Sequence, residues 1–273
     1  ALVTGVLTTT AATVFNGGFA SNAPSTITTA DNLDTLSLVS TDADANVGPN
    51  LRLYRNSGSP ADSDALGRIQ AVGRNDNSQD VIYSTIETYA LDVSDGTEDA
   101  VLNFNVMQGG SAVSFFKGNN TEVVVNDDSK DLDFRVESDT ITHALFVQGS
   151  KGAVGIGVTP REDIHTTWSQ LFIGQKGSLI AERDSAGGDP GTKLTDNIYI
   201  DSDTGARACI ETNQSSLFTQ EAGVFSFSSA VSASAGAAPS LIEYFRIAAD
   251  GSLSTPTLGT SNVRFGVNAG NSI

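Results

Sequence analysis

Strict alternation governs residues 131–137. Leu132, Phe134 and Val136 fall on one side of an extended chain, and Asp131, Asp133, Arg135 and Glu137 on the other. A period of two builds a strand with one buried and one wet face; a helix would repeat its apolar residues at about 3.6. The same period returns at Leu36/Leu38, at Leu51/Leu53 and at Leu102/Phe104/Val106, the last set against Asn103 and Asn105. Between these runs lie clusters of Gly, Asn, Asp and Ser, the residues that turn a chain. Such a sequence is constrained to short strands joined by many turns, which is an all-β fold.

Further strands are expected at 66–72, 81–91, 101–106, 112–116 and 121–125. Beyond them come the apolar run 144–147 and the Gly-punctuated 153–157. Asp95-Gly96 is a tight-turn signal, Gly109-Gly110 breaks the run before it, and Gly149-Ser-Lys-Gly152 reads as a hairpin turn. Thr159-Pro160 and the charged residues after it read as a hinge. Strands resume at 171–173, 179–181, 197–201, 208–211 and 224–227, with a long turn across 181–196. Residues 229–239 are rich in small side chains and read as a linker or a tight packing strip, and 241–251 as a short helix or a hairpin. This divides the chain into an N-terminal extended connector (1–32), a first β-module (33–160), a second β-module (161–258) and a C-terminal piece (259–273). Residues 145–160 and 244–256 share a plan of apolar strand, Gly turn, second strand and Thr-Pro, an echo open to duplication or to independent reuse.

Only 39% of the 273 residues are apolar, so a lone chain of many short strands is poorly supplied with core, and oligomerisation would supply the rest. The net charge of −17 excludes a nucleic-acid binder, which needs a basic stripe to displace counterions from phosphate. It also disfavours an anionic membrane surface. No run reaches the roughly 18 apolar residues of a spanning helix. A single cysteine, Cys209, rules out an intrachain disulfide. Ala1 in place of a start Met, with Met107 the only Met, points to a chain that is trimmed or part of a longer one.

The string DLDFRVESDTITHALFVQGSKGAVGIG at 131–157 resembles a run found in the tail-fibre proteins of bacteriophages, particularly marine phages. GFASNAPSTITTADN, LSLVSTDADANVGPNLRLYRN and SPADSDALGRIQAVGRND, earlier in the chain, are similar in style. The terminal spacing Asn262, Gly266, Ala269, Ile273 resembles one unit of the β-rolls in trimeric adhesin heads and phage fibres. The resemblance implies an elongated fibre of short-stranded β-modules, commonly an intertwined homotrimer, with a β-roll-like repeat starting at the C-terminus.

Several side chains invite a chemical reading. Calcium takes about six to eight oxygens, and the acidic turns Asp42/Asp44, Asp76/Asp80, Asp92/Asp95/Asp99, Asp127/Asp128 and Asp201/Asp203 offer carboxylates without an EF-hand pattern. Turn chemistry explains them better. Glu87, Glu98, Glu137 and Glu211 lie in or beside strands, where solvent-facing charge is expected, and mark no glycosidase pair. His143 and His165 lack zinc spacing. Gly149-Ser-Lys-Gly152 lacks the spacing of a phosphate loop. Cys209 reads as a small buried hydrophobe. Trp168, Phe172, Phe115, Phe116, Phe225 and Phe227 fit core or subunit contact better than a sugar-stacking surface. Asn119 and Asn213 begin formal glycosylation sequons, which have no role in a phage.

The leading expectation is therefore a non-enzymatic structural virion protein, a tail-fibre spacer or host-adhesion appendage, with no catalytic, cofactor-binding or metal residues and no cofactor. Its partners would be copies of itself, other virion proteins and a host surface glycan or receptor, with no nucleic acid and no membrane insertion. It would assemble in the bacterial cytoplasm and act on the extracellular particle. The alternatives are a glycan- or receptor-binding adhesin module and, less favoured, a polysaccharide-depolymerising tailspike or a capsid decoration fibre.

Overall fold

The computed structural model describes residues 15, 16, 18, 20–183 and 191–255. The chain divides into two units, Ala1–Tyr54 and Arg55–Ile273. In the described part of the first unit there is no strand, and nearly every side chain is exposed. The strands expected around Leu36/Leu38 and Leu51/Leu53 are thus not formed within one chain. Alternation alone pairs no backbone groups; a strand needs a neighbour to take its N–H and C=O. The C-terminal β-roll expected at 259–273 lies outside the described residues.

The second unit is all-β, with no helix among the described residues. Five strands form an antiparallel meander: β1 (Ala65–Arg74), β2 (Asp80–Asp92), β3 (Asp99–Gln108), β4 (Ser111–Gly118) and β5 (Val123–Val125). Register aligns Ile69 with Ile86, Ile86 with Phe104, Phe104 with Phe116 and Phe116 with Val125, so one face is apolar. On the other face Arg68 Nε donates to Glu87 Oε2 at 2.7 Å, and Asn105 Nδ2 donates to Glu87 Oε1 at 2.8 Å. The alternation of Phe104 and Val106 against Asn103 and Asn105 is realised directly. A register shift in β4 sets both Phe115 and Phe116 edge-on to Phe104, at 6.1 and 5.6 Å.

A ten-stranded open sheet follows. Its chain-order strands are β6 (Phe134–Val136), β7 (Leu145–Val147), β8 (Val154–Ile156), β9 (Trp168–Ile173), β10 (Gly177–Glu182) and β11 (Thr192–Asp196). After the separate hairpin β12 (Ile198–Ile200) and β13 (Arg207–Cys209) come β14 (Asn213–Glu221), β15 (Val224–Ala233), β16 (Ile242–Ile247) and β17 (Leu253–Ser254). The spatial order is β6 to β11, then β14 to β17. All neighbours are antiparallel except β8 and β9, which are parallel. Neither sheet closes into a barrel. The stretch open to a short helix or a hairpin is a hairpin, β16 to β17 over 242–254, and β7–β8 is likewise an antiparallel hairpin.

The two faces of this sheet differ. One is covered by the β12–β13 hairpin and by residues 158–167. There Ala153, Ile164, Phe172, Tyr199 and Ala208 form one buried cluster, and Trp168, Ile180 and Ile200 another. Residues 159–163 are accordingly no free hinge: Ile164, directly after them, is buried and bridges to Asp201. The covered face is partly polar, and several of its polar groups hold the hairpin. Ser178 and Thr195 hydroxyls donate to the Ile198 carbonyl, and the Gln170 side-chain amide takes both backbone groups of Ile200, as a strand neighbour would.

The opposite face carries an unbroken registered row. Phe134 stands opposite Val147, Val147 opposite Val154, and Val154 opposite Leu171. Leu171 continues to Leu179 and Leu194, and Leu194 to Phe218. Phe227 and Phe245 complete it, with Phe218 and Phe227 stacked at 4.7 Å. Leu194 keeps 55% of its surface exposed and Phe134 38%.

Two glycines of the 131–157 run are required by close approach. A Cβ on Gly155 would collide with the Val158 carbonyl and with Pro160, and one on Gly149 with the Leu132 backbone. Gly155→Ala is expected to displace residues 158–160 and cost about 1–3 kcal/mol, the usual range for overpacking. Chemical denaturation would register this as a lower midpoint, and an unchanged midpoint would contradict the packing described.

Candidate functional site

A dense polar constellation sits where residues 161–165 meet the β12–β13 hairpin. Arg161 grips Asp163 with two hydrogen bonds, Nε to Oδ1 at 2.8 Å and Nη2 to Oδ2 at 2.6 Å. Its guanidinium lies 4.2 Å over the Tyr199 ring. The Tyr199 hydroxyl donates to Asp163 Oδ2 at 3.1 Å and lies 3.3 Å from Asp201 Oδ2. Tyr199 is only 1% exposed, because its ring fills the core between Ile164 and Phe172. Beside it, Gln148 at the end of β7 donates to Glu162 at 2.6 Å and ties the same segment to the sheet.

Electrostatics decide what these groups can do. Burial pushes the Asp163 carboxyl up, but Arg161 and the Tyr199 hydroxyl outweigh it, and the group ends below the ordinary carboxylate range. Asp201 is lowered chiefly by the Thr204 backbone N–H. Tyr199 is pushed up to about 12, first by burial, with Arg161 opposing and Asp163 and Asp201 adding to the rise. Near neutral pH the two carboxylates are anions and the phenol is neutral, so the Arg161–Asp163–Tyr199 contacts persist and clamp the hairpin to residues 161–165.

Its linkage to pH follows. Asp163 and Asp201 have folded values below the ordinary 3.8, so their contribution is complete above 3.8 and disappears as pH falls through the lower folded values. Tyr199 has a folded value above the ordinary 10.0, so its contribution is complete below pH 10.0 and disappears as pH rises towards about 12. Thermal unfolding against pH should therefore be flat in between and fall at both ends. Tyr199→Phe should flatten the alkaline arm and lower stability by about 1 kcal/mol, the worth of an ordinary hydrogen bond. An alkaline arm of unchanged shape would contradict the clamp.

Several of the acidic-turn carboxylates are held by backbone N–H groups. Asp42 Oδ1 accepts from Asp44 N–H, and Asp44 Oδ1 from Asn46 N–H. Asp92 accepts from Ser94 N–H, Asp128 from Ser114 N–H, and Asp201 from Asp203 and Thr204 N–H. Asp80 pairs with Arg74, Asp127 with Lys117, and Asp99 accepts from Asn120. Among the described residues no three His, Cys, Asp or Glu side chains converge as a metal site would require. Glu87 pairs with Arg68, Glu137 with Arg135 and Glu211 with Lys176, while Glu98 accepts from Gly96 N–H.

His143 Nδ1 contacts the Thr142 hydroxyl at 3.0 Å, and His165 Nδ1 the Thr167 hydroxyl at 2.9 Å. Cys209 is buried 3.4 Å from the Ser215 hydroxyl. The aromatics separate into two sets. Trp168 and Phe172 are core, with the buried Lys193 ammonium 4.8 Å over the Trp168 ring, whereas Phe225 and Phe227 belong to the open face. An open cleft of about 770 Å³ runs between the two sheets, walled by Val106, Val113, Phe116, Leu132, Phe134 and Phe146.

Sequence reasoning missed Arg161, Asp163 and Tyr199. The available signal was Tyr199 itself, an aromatic between two isoleucines with Asp201 two residues on. Compared with family models, curated proteins and solved structures, the chain has no match.

Proposed function

We propose that the chain is a structural, non-enzymatic part of a virion appendage, a tail-fibre spacer formed by several copies of itself. The observation that carries this reading is the apolar surface that one chain leaves uncovered. In the first unit Leu33, Val39, Val47, Leu51, Leu53 and Tyr54 are all exposed, Val47 at 84%. Leu36 and Leu38, and Leu51 and Leu53, alternate with polar residues as strand residues do, yet no strand forms among the described residues of this unit. The second unit adds the open apolar rows of both sheets. A chain with this much unspent apolar surface gains a core by winding with identical chains, and pairing across copies also covers strand edges that invite aggregation.

The resemblance of 131–157 to phage tail fibres supports the same reading. So does the −17 charge, which keeps an exposed, crowded appendage soluble. On this reading the homotrimer, the place on the extracellular particle, assembly in the bacterial cytoplasm and contact with other virion proteins and a host glycan or receptor belong together. Negative-stain electron microscopy of the purified chain tests it: uniform rods are expected, and compact single-chain particles would overturn it.

A further inference from the structure

We propose that the row from Phe134 to Phe245 lines the axis of a parallel, in-register assembly of three copies of this chain, with the strands running across that axis. The proposal rests on the fibre reading above and adds which face makes the contact and in what register.

The first argument is area. With its same-face neighbours Val136, Ile156, Ile173 and Phe225, the row presents on the order of 800 Å² of apolar surface, the amount one partner contributes to a standard interface. The second is charge. The whole chain carries −17, yet none of the nine residues of the row is charged, and the carboxylate flanking Leu194 on this face is that of Asp196. The row itself is therefore an uncharged strip along which acidic copies can meet, with the Asp196 carboxylate beside it.

The third argument is shape. In the centre of the sheet the stripe is one residue wide: Leu194 is flanked by Thr192 and Asp196, and Phe218 by Ser216 and Gln220. Face-to-face sheet packing needs a broad apolar face, which this is not. Nine strands at about 4.8 Å give a ridge roughly 38 Å long. A long, narrow ridge fits an axis on which each copy contributes the same residue at each level, so that Leu194 meets Leu194.

The test is same-site cross-linking. Leu194→Cys is treated with a short bismaleimide, with Asp203→Cys, on the β12–β13 turn across the sheet, as the control; native Cys209 is fully buried. Phe134→Cys repeats the measurement at the far end of the row should the first variant not fold, and circular dichroism checks each. Covalent pairs in the Leu194→Cys or Phe134→Cys variant but not in the Asp203→Cys control, in an oligomer of wild-type mass, are the expected result. An intact oligomer in which thiols at positions 194 and 134 do not link, or link no better than one at 203, overturns this face while leaving the fibre reading standing. A monomeric wild-type chain overturns both, and slow labelling of the Leu194→Cys thiol in that monomer would mean that another segment of the same chain covers the row.

Discussion

Phe134→Asp is expected to convert the assembled protein into folded single chains. In one chain Phe134 lies on the edge strand β6 with 38% of its surface exposed, so a carboxylate there can be hydrated and the sheet survives. On the proposed axis three copies would meet at one level. Each pair of carboxylates at about 6 Å repels by about 3 kcal/mol at an effective dielectric near 20, before any desolvation is counted. The lost apolar contact adds to this. Size-exclusion chromatography with light scattering should show mass falling to that of one chain, with the circular dichroism spectrum retained. An oligomer of unchanged mass would contradict the role assigned to the open face. The same substitution suggests itself from sequence alone, where Phe134 reads as core; it is not core within a single chain, and this makes the variant informative about assembly.

Tyr199→Ala is the second large effect, and it concerns folding. The ring is buried among Ile164, Phe172 and Ala208, and its removal leaves a cavity and takes the stacking surface from Arg161. Large aromatic truncations of this kind cost about 3–5 kcal/mol, a large part of the roughly 5–15 kcal/mol that holds a domain together. The melting temperature should drop by about 6–20 °C, at about 2–4 °C per kcal/mol for a domain of this size. A fall of only a degree or two would show that the hairpin does not depend on the clamp. Because Tyr199 ties the hairpin to Asp163, 36 residues away, the loss should appear in the global transition rather than as local fraying.

Much of the fold was legible where alternation and turns agree. The strands at 81–91 and 101–106 and the break at Gly109-Gly110 appear in the structure as β2, β3 and the turn after it. β11 and β14 were not legible, for one physical reason. The covered face of β11 holds Lys193 and Thr195, and that of β14 holds Ser215 and Thr219 on either side of Leu217, while Leu194 and Phe218 face outward. The usual apolar-in pattern is inverted in β11 and diluted in β14, and β11 reads as part of a turn. The strands expected at Leu36/Leu38 and Leu51/Leu53 fail in the opposite sense, with the pattern present and the partner strand missing. The open row was beyond sequence reading altogether. It is a property of register between nine strands, several of them far apart along the chain, and no local window contains it. The clamp was hidden likewise, since Asp163 and Tyr199 are joined only by the fold.

The most direct measurement is sedimentation velocity on the full 273-residue chain, which gives mass and frictional ratio together. The account predicts one elongated species at three times the chain mass of 28.3 kDa. A compact monomer would contradict it, and the open apolar faces would then require an occupant other than further copies of this chain.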